Sequence, residues 1–297
     1  MVKTAQSQRI PIVFFQSVSK YKDFKPFYSV HKKDLNHKQF IEWQQYFDKA
    51  ETSFKDGNYF EAMTLYHGAL KIDSDYAVAY FRLGQCLELL GDFKGANIFY
   101  VQANDQDYIP IRAPSSANRF YVQLEAEHLK DVYVIHTQEI FDQHSRNGLV
   151  DDELVADQLH PTVKGQALMA EEILRIIFEN NLMINSRAWK WPQLKSFEDL
   201  AQSIDIDSDF KFEIQLWLAN YVGSYLDTAE SYILKALQIK PQSIRAKSEL
   251  AWVYWKAGRK DEAKKLYQEL QTQAPIQAKV FFEKHPDVQS LVHVIEK

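Results

Sequence analysis

The chain is poor in the residues that build covalent frameworks and tight catalytic turns. It has one cysteine, Cys86, which can form no internal disulfide, and nine glycines in 297 residues. That excludes a disulfide scaffold and leaves the redox compartment open. No apolar run reaches the ~20 residues that a bilayer crossing needs. Met1 to Gln8 has neither the basic nor the apolar part of a signal peptide, so a soluble protein of unassigned location is expected. The net charge is −5, with the lysines scattered, which argues against a nucleic-acid footprint. Short basic clusters such as His31-Lys32-Lys33 and Arg259-Lys260 read as solvated faces. No His, Cys or carboxylate spacing fits a metal motif, so neither metal nor cofactor is expected. What is present is ordinary globular material: 46% apolar, 25% charged, and long enough for two domains.

The strongest internal signal is a repeat. Tyr46, Ala50, Gly57, Tyr59, Ala62, Tyr66 and Ala69 recur 34 residues later as Tyr80, Gly84, Gly91, Phe93, Ala96, Tyr100 and Ala103. Small residues at Ala50/Gly84, Ala62/Ala96 and Ala69/Ala103 let paired helices approach closely, while aromatics fill the gaps. This period and pattern resemble tetratricopeptide repeats. A second array is marked by Ala229 and Pro241 recurring as Ala263 and Pro275, with Leu250-Ala251, Tyr254 and Gly258 completing one repeat. It runs from about Phe212 to Pro275, with a closing helix through Val294. Fewer than three repeats rarely stand alone, so each array is expected to lean on another element. Cys86 falls on a repeat helix and reads as a small core residue.

Repeat arrays of this kind offer a concave peptide groove lined by the first helix of each pair. Here the groove positions are Phe47, Glu51 and Phe54, then Phe81, Gln85 and Glu88. They form a mixed surface without the Lys/Asn cluster that clamps a carboxylate terminus. Either an unknown peptide or another domain fills this groove, or the aromatics are plain repeat packing.

Chemistry is concentrated in Asp157-Gln158-Leu159-His160-Pro161. A carboxylate three residues before a histidine can fix the tautomer of the imidazole and stabilise its protonated form, which is what a general base needs. Pro161 and Thr162 then open a helix in which Val163, Ala167, Ala170, Leu174, Ile177 and Phe178 recur at helical spacing, leaving His160 at the helix mouth. The alternative is that Asp157 and His160 merely cap that helix. His136, at a strand end, and His144, in the following loop, read as hydrogen-bonded structure.

The Asp-x-x-His-Pro block, followed by Gly165 and a helix carrying Leu168-Met169-Ala170, resembles the last block of SGNH/GDSL-type hydrolases. That resemblance implies His160 as base and Asp157 as its orienter, acting for a serine that attacks an ester carbonyl. It extends to a buried strand over Arg9 to Phe15, a helix over Ser115 to Leu129 with Ser115 or Ser116 at its cap, and a strand over Val132 to His136. Strand, helix and strand imply a parallel crossover. The segment Ser17 to Ser29 is similar to members whose hydrolase domain is interrupted by tetratricopeptide repeats. The Gly-Asp-Ser nucleophile turn of that family and the Gly and Asn of its oxyanion hole have no counterpart here. Ser17 and Ser19 carry no nucleophile motif and read as turn or cap residues.

The expected organisation is an α/β fragment with two parallel strands of a flavodoxin-like sheet plus α-helical repeats, mostly α overall. Residues 1–40 hold the first strand and loop, 41–108 the inserted repeat pair, 109–184 the rest of the fragment, and 185–297 a linker and the C-terminal helical repeats. Trp189-Lys190-Trp191-Pro192 reads as an aromatic linker that docks the C-terminal array. Two functions follow. One is the C-terminal portion of an ester hydrolase or acyltransferase, inactive alone. The other is a non-catalytic scaffold that binds protein or peptide through its repeats. Unpaired apolar strands at Ile10 to Phe15 or Val132 to Ile135 predict self-association, or pairing with an N-terminal hydrolase half.

Overall fold

The structure is a computed structural model that describes residues 1–183, 196, 199, 201–202, 204, 207–222 and 226–285. The Trp189–Pro192 linker and the end of the expected closing helix lie outside the described residues. The chain divides into two compact units, Met1–Ile204 and Asp205–Lys297. Among the described residues the protein is mostly helical with a two-stranded parallel sheet, the fold class the sequence predicts.

In the first unit a short helix, α1 (Val2–Ser7), precedes β1 (Ile12–Phe15). Four helices follow: α2 (His37–Lys55), α3 (Tyr59–Ile72), α4 (Ala77–Leu89) and α5 (Phe93–Asp105). Their ends follow from local chemistry. Asn36 and Gln39 form a reciprocal capping box at α2. The turn into α3 passes through Gly57 at φ +79° and the turn into α5 through Gly91 at φ +85°, a left-handed conformation that costs glycine nothing. Helices α2 with α3 and α4 with α5 are the two repeats.

The repeat signature is a packing rule. Ala50, Ala62, Tyr66, Leu83 and Cys86 form one buried cluster, and burial pushes the Cys86 thiol up to about 12. A Cβ on Gly84 would lie 2.6 Å from Cδ1 of Tyr100, and one on Gly68 at the same distance from Cδ1 of Tyr46. Glycine at these two positions is what lets an aromatic ring lie flat against a neighbouring helix backbone. Each buried tyrosine then finds an acceptor at 2.6 Å: Tyr66 donates to Glu51 and Tyr100 to Glu88, as a buried phenol requires.

After the repeats come α6 (Ser115–Ala126), β2 (Val132–Ile135), α7 (Thr137–His144) and α8 (Val163–Glu179). The strands pair in parallel from Ile12 with Val132 to Phe15 with Ile135. Both are shorter than the apolar runs suggest. Arg9 sits in the left-handed region at φ 57°, which interrupts extended geometry before Ile12, and His136 already caps α7. Helix α6 begins at Ser115, but neither serine is its cap. The end of α5 reaches over instead, with Asp105 Oδ1 accepting from Ser115 N at 2.7 Å. Helix α8 packs Ala167 and Leu168 against Val18, Phe141, Val150, Leu154 and Val155. Thr162 caps it, and Gly165 is required there because a Cβ would meet the Leu154 carbonyl oxygen at 2.3 Å.

The second unit stacks α9 (Ser208–Val222), α10 (Leu226–Ile239), α11 (Ile244–Lys256), α12 (Lys260–Gln273) and α13 (Pro275–Glu283). Gly258, at φ +78°, makes the same turn between α11 and α12 as Gly57 and Gly91 make in the first unit. The core of its complete repeat is Ala251, Ala263, Tyr267 and Leu270, closed by Ala278 and Phe282 of α13.

Because the Gly84 site is full, Gly84→Ala should destabilise the first unit by about 1–3 kcal/mol despite the better helix propensity of alanine. Denaturant unfolding of wild type and variant measures this, and Gly95→Ala would not serve as a neutral control because a Cβ there meets Asp92 at 2.4 Å.

Candidate functional site

The Asp157–His160 turn is held from inside. Asp157 is buried, and its Oδ1 accepts from the backbone N–H of Leu159 at 2.8 Å and of His160 at 2.9 Å, while Oδ2 lies 2.7 Å from His160 Nδ1. Burial pushes this carboxyl up. The two N–H groups and the imidazole outweigh that effect and hold it below the usual carboxylate range. An ionised carboxylate only accepts, so Nδ1 carries the proton and Nε2 is left with its lone pair. The histidine side chain is 71% exposed. The backbone beyond closes back on itself, with Ala156 N donating to the His160 carbonyl at 2.9 Å and Val155 bridged to Pro161. The two expected residues are therefore together, with the imidazole outward and the carboxylate inward.

The turn rests on a segment that leaves the end of β1. Asn118 of α6 exchanges two hydrogen bonds with the backbone of Ser17, at 2.9 and 2.8 Å. Gln138 of α7 accepts from Ser19 N at 2.8 Å, and the Gln158 carbonyl accepts from Lys20 N at 2.9 Å. Lys20 is the residue that sequence reasoning passed over. Its side chain is 0% exposed, its ammonium pairs with Asp152 and lies 3.8 Å from Asp23, and it sits 5.1 Å from the centre of the Phe24 ring. Burial lowers it to about 8, opposed by the charges of Asp23, Asp157 and Asp151. Nothing periodic marks such a lysine; only its place just past a strand end could have drawn attention to it. Ser19 is buried and Ser17 exposed, and among the described residues neither hydrogen-bonds to His160.

His136 and His144 are structural. The first pairs with Glu125 at 2.9 Å, and the second reaches the Ile140 carbonyl of its own helix at 2.8 Å.

The groove positions of the first repeats are engaged by the protein itself. Glu51 holds Arg82 through two bonds of 2.8 and 2.9 Å besides accepting from Tyr66, and Arg82 also reaches Gln85 at 2.9 Å. Phe81 is buried in a cluster with Tyr100, Tyr21 and Leu149, so residues from both sides of the insertion pack on it. Glu88 lies 3.6 Å from Lys22. Phe47 stacks on Trp43 at 5.0 Å, and Phe54 packs on Tyr59 at 5.6 Å. The segment from Ser17 to Lys32 runs along the repeats as a strap. Its Ser29 hydroxyl accepts from Val78 N at 3.0 Å. His31 meets Asp73 at 2.5 Å and packs against the rings of Trp43 and Tyr76.

The second unit has a cavity of about 100 Å³ between α9, α10, α11 and α13, with Asn220, Glu249, Trp252, Phe281 and His285 in its lining. Trp252 Nε1 is buried without a hydrogen-bond partner among the described residues. Burial pushes the Glu249 carboxyl up, against the pull of Arg245 at 3.2 Å and Asn220 at 3.4 Å.

Residues 226–280 match the family described as tetratricopeptide repeat. The chain therefore carries such repeats, and the match does not extend to Asp157 and His160. No curated protein gives a significant match. Solved structures similar to the chain include YrrB, titled a TPR protein with an unusual peptide-binding site. It is 16% identical over 80% of this chain and 90% of its own, with a TM-score of 0.23. A thermophilic TPR protein of Thermus thermophilus is 18% identical over 82% and 97%, with a TM-score of 0.23. The TPR domain of P58(IPK) is 16% identical over 86% and 67%, with a TM-score of 0.29. At such scores these likenesses carry no argument about shape or ligand.

One carboxyl beneath the strap gives a pH signature. Burial pushes Asp142 of α7 up to about 6, although Gln138 and Asn97 hydrogen-bond to it. A carboxyl raised above its unfolded value of 3.8 favours folding only while protonated, and that contribution is lost as pH rises through 6. Asp142→Asn should therefore stabilise the protein at pH 7 by roughly 1–2 kcal/mol. The gain should shrink below pH 6 and vanish near pH 4, as followed by urea unfolding across that range.

Proposed function

We propose that this chain is a protein-binding scaffold that takes a peptide segment of a partner on its C-terminal repeats. The observation that carries this is the buried Trp252 Nε1 at the α9–α11–α13 cavity, an N–H donor with no acceptor among the described residues. A buried donor left unmade costs about 1–3 kcal/mol, so a peptide carbonyl or carboxamide entering there gains a bond that the free protein does not have. The first array supports the same division of labour, since its groove residues already meet this chain's own residues, Phe81 and Glu88 those of the strap and the others those of the repeats.

A second reading is favoured by the 2.7 Å contact of His160 Nδ1 with Asp157. In that reading the pair is the base and orienter of an SGNH-type ester hydrolase or acyltransferase. His160 Nε2 would take the proton of a serine hydroxyl, with Asp157 stabilising the imidazolium. Neither the serine nor the oxyanion donors are identified within these 297 residues.

Peptides selected by display on the intact chain test the first reading. Trp252→Phe keeps the ring and deletes the donor, and should weaken the selected peptides roughly five- to tenfold by titration calorimetry; unchanged affinity would remove the cavity from the binding site. For the second reading, the purified chain should show no histidine-dependent turnover of a short-chain nitrophenyl ester. Turnover abolished by His160→Ala would mean that a nucleophile in this chain has been overlooked.

A further inference from the structure

We propose that the outer face of α9 is a dimerisation surface, on which a second copy of this chain lays its own α9 antiparallel along a stripe made by Phe210, Ile214, Trp217 and Tyr221. These residues follow one another at intervals of four, three and four, the seam spacing of paired helices. Phe210, Trp217 and Tyr221 are 58%, 56% and 50% exposed, and the rings of Trp217 and Tyr221 stack at 5.2 Å and 14°. Single apolar side chains on a surface need no explanation, but a stripe of them along one helix marks an interaction site.

The other repeats show what such a face receives. In α4, α9 and α11 a leucine followed by a small residue, Leu83-Gly84, Leu218-Ala219 and Leu250-Ala251, marks the same point of the helix. Five residues before and two after the small residue stand Ala79 and Cys86 in α4, and Ala246 and Val253 in α11. All four are at most 1% exposed, and the preceding repeat is what meets them. Cys86 packs with Ala50, Ala62 and Tyr66 of α2 and α3, while Val253 lines a cavity with Ala219, Ala229 and Ile233 of α9 and α10. The same two places in α9 are Ile214 and Tyr221, and within the second unit no repeat precedes α9 among the described residues. An array end of this kind is ordinarily closed by polar residues. Helix α2, which leads the first array, obeys that rule with Gln45, Asp48 and Thr52 exposed on the corresponding face beside Ile41. Helix α9 presents three aromatic rings there instead, so the element that fits it is another helix.

A second α9 supplies that helix. Turned antiparallel, it sets Phe210 against Tyr221 and Ile214 against Trp217 across a twofold axis, so one patch serves both copies. Charge selects the direction. A parallel pair would bring together the acidic N-terminal turns, with Asp207 and Asp209 of each copy, whereas the antiparallel pair places each of these turns at the partner's uncharged Asn220 to Val222 end and opposes the two helix dipoles.

Sedimentation equilibrium of the full chain tests this. A stripe of four side chains per copy is small beside the interfaces of permanent dimers, so a dissociation constant of order 10 µM is expected. Trp217→Gln and Tyr221→Gln, both at exposed positions, should each raise it about tenfold or more while leaving the melting profile by circular dichroism in place. Should one of them unfold, the other decides. Ile10→Lys puts a charge beside the strand run that could also associate, and should leave the constant unchanged. A short bismaleimide should join Phe210→Cys copies to Tyr221→Cys copies but neither to itself, the natural Cys86 being buried. A monomer throughout the range of about 1–200 µM would overturn the proposal. So would a dimer that both glutamine variants leave intact, one that Ile10→Lys abolishes, or cross-linking of either cysteine variant to itself.

Discussion

The first unit depends on how an irregular stretch of backbone, Gln16 to Phe24, is kept supplied with hydrogen bonds. A buried segment without secondary structure must satisfy every N–H and C=O by other means. Here the partners come from four directions: Asn118 on α6, Gln138 on α7, the Gln158 carbonyl, and the buried Arg112 guanidinium that gathers three carbonyls. Each partner is remote in sequence, so satisfying this one segment draws the sheet, the crossover helix, the Asp157 turn and the repeats together. The charge of Lys20 is buried in the same place, paired with Asp152 and near Asp23 of its own segment.

The parts that were legible in the sequence are those whose physics is local or periodic. The 34-residue period returned every helix of the first array, because its small residues are the buried contact points between helices, as Gly84 is for Tyr100. The Asp157–His160 contact was legible because three residues of turn geometry suffice to make it. Element ends were less so. The β1 run looks extended from Arg9, yet Arg9 is left-handed, and α6 takes its cap from Asp105, ten residues upstream, rather than from its own serines. Lys20, Arg112 and the strap could not be read, since their contacts join positions about a hundred residues apart and leave no trace in spacing.

The groove residues of the first array show how composition can mislead about use. Phe81, Glu51 and Glu88 are the residue types that a peptide-binding face displays, and they stand at the right positions. Their contacts are with Tyr21, Arg82, Tyr66, Tyr100 and Lys22, so the surface that could receive a foreign peptide receives this chain instead. The second unit holds its polar groups differently. There an indole N–H has no hydrogen-bond partner among the described residues, in a cavity it lines together with Glu249, whose carboxyl burial pushes up.

The parallel pairing of Ile12 with Val132 sets an order of events as well as a shape. Two four-residue strands separated by about 120 positions in the chain cannot find one another early, because closing so long a loop costs entropy before any ladder bond repays it. The helical hairpins between them rely on near neighbours and can form first, folding most of the intervening chain into a rigid body with both ends close together. The inserted repeats thus act as a clasp, shortening the path that separates the two halves of the sheet. Loosening the hairpins should delay the assembly of a strand pair that they scarcely touch.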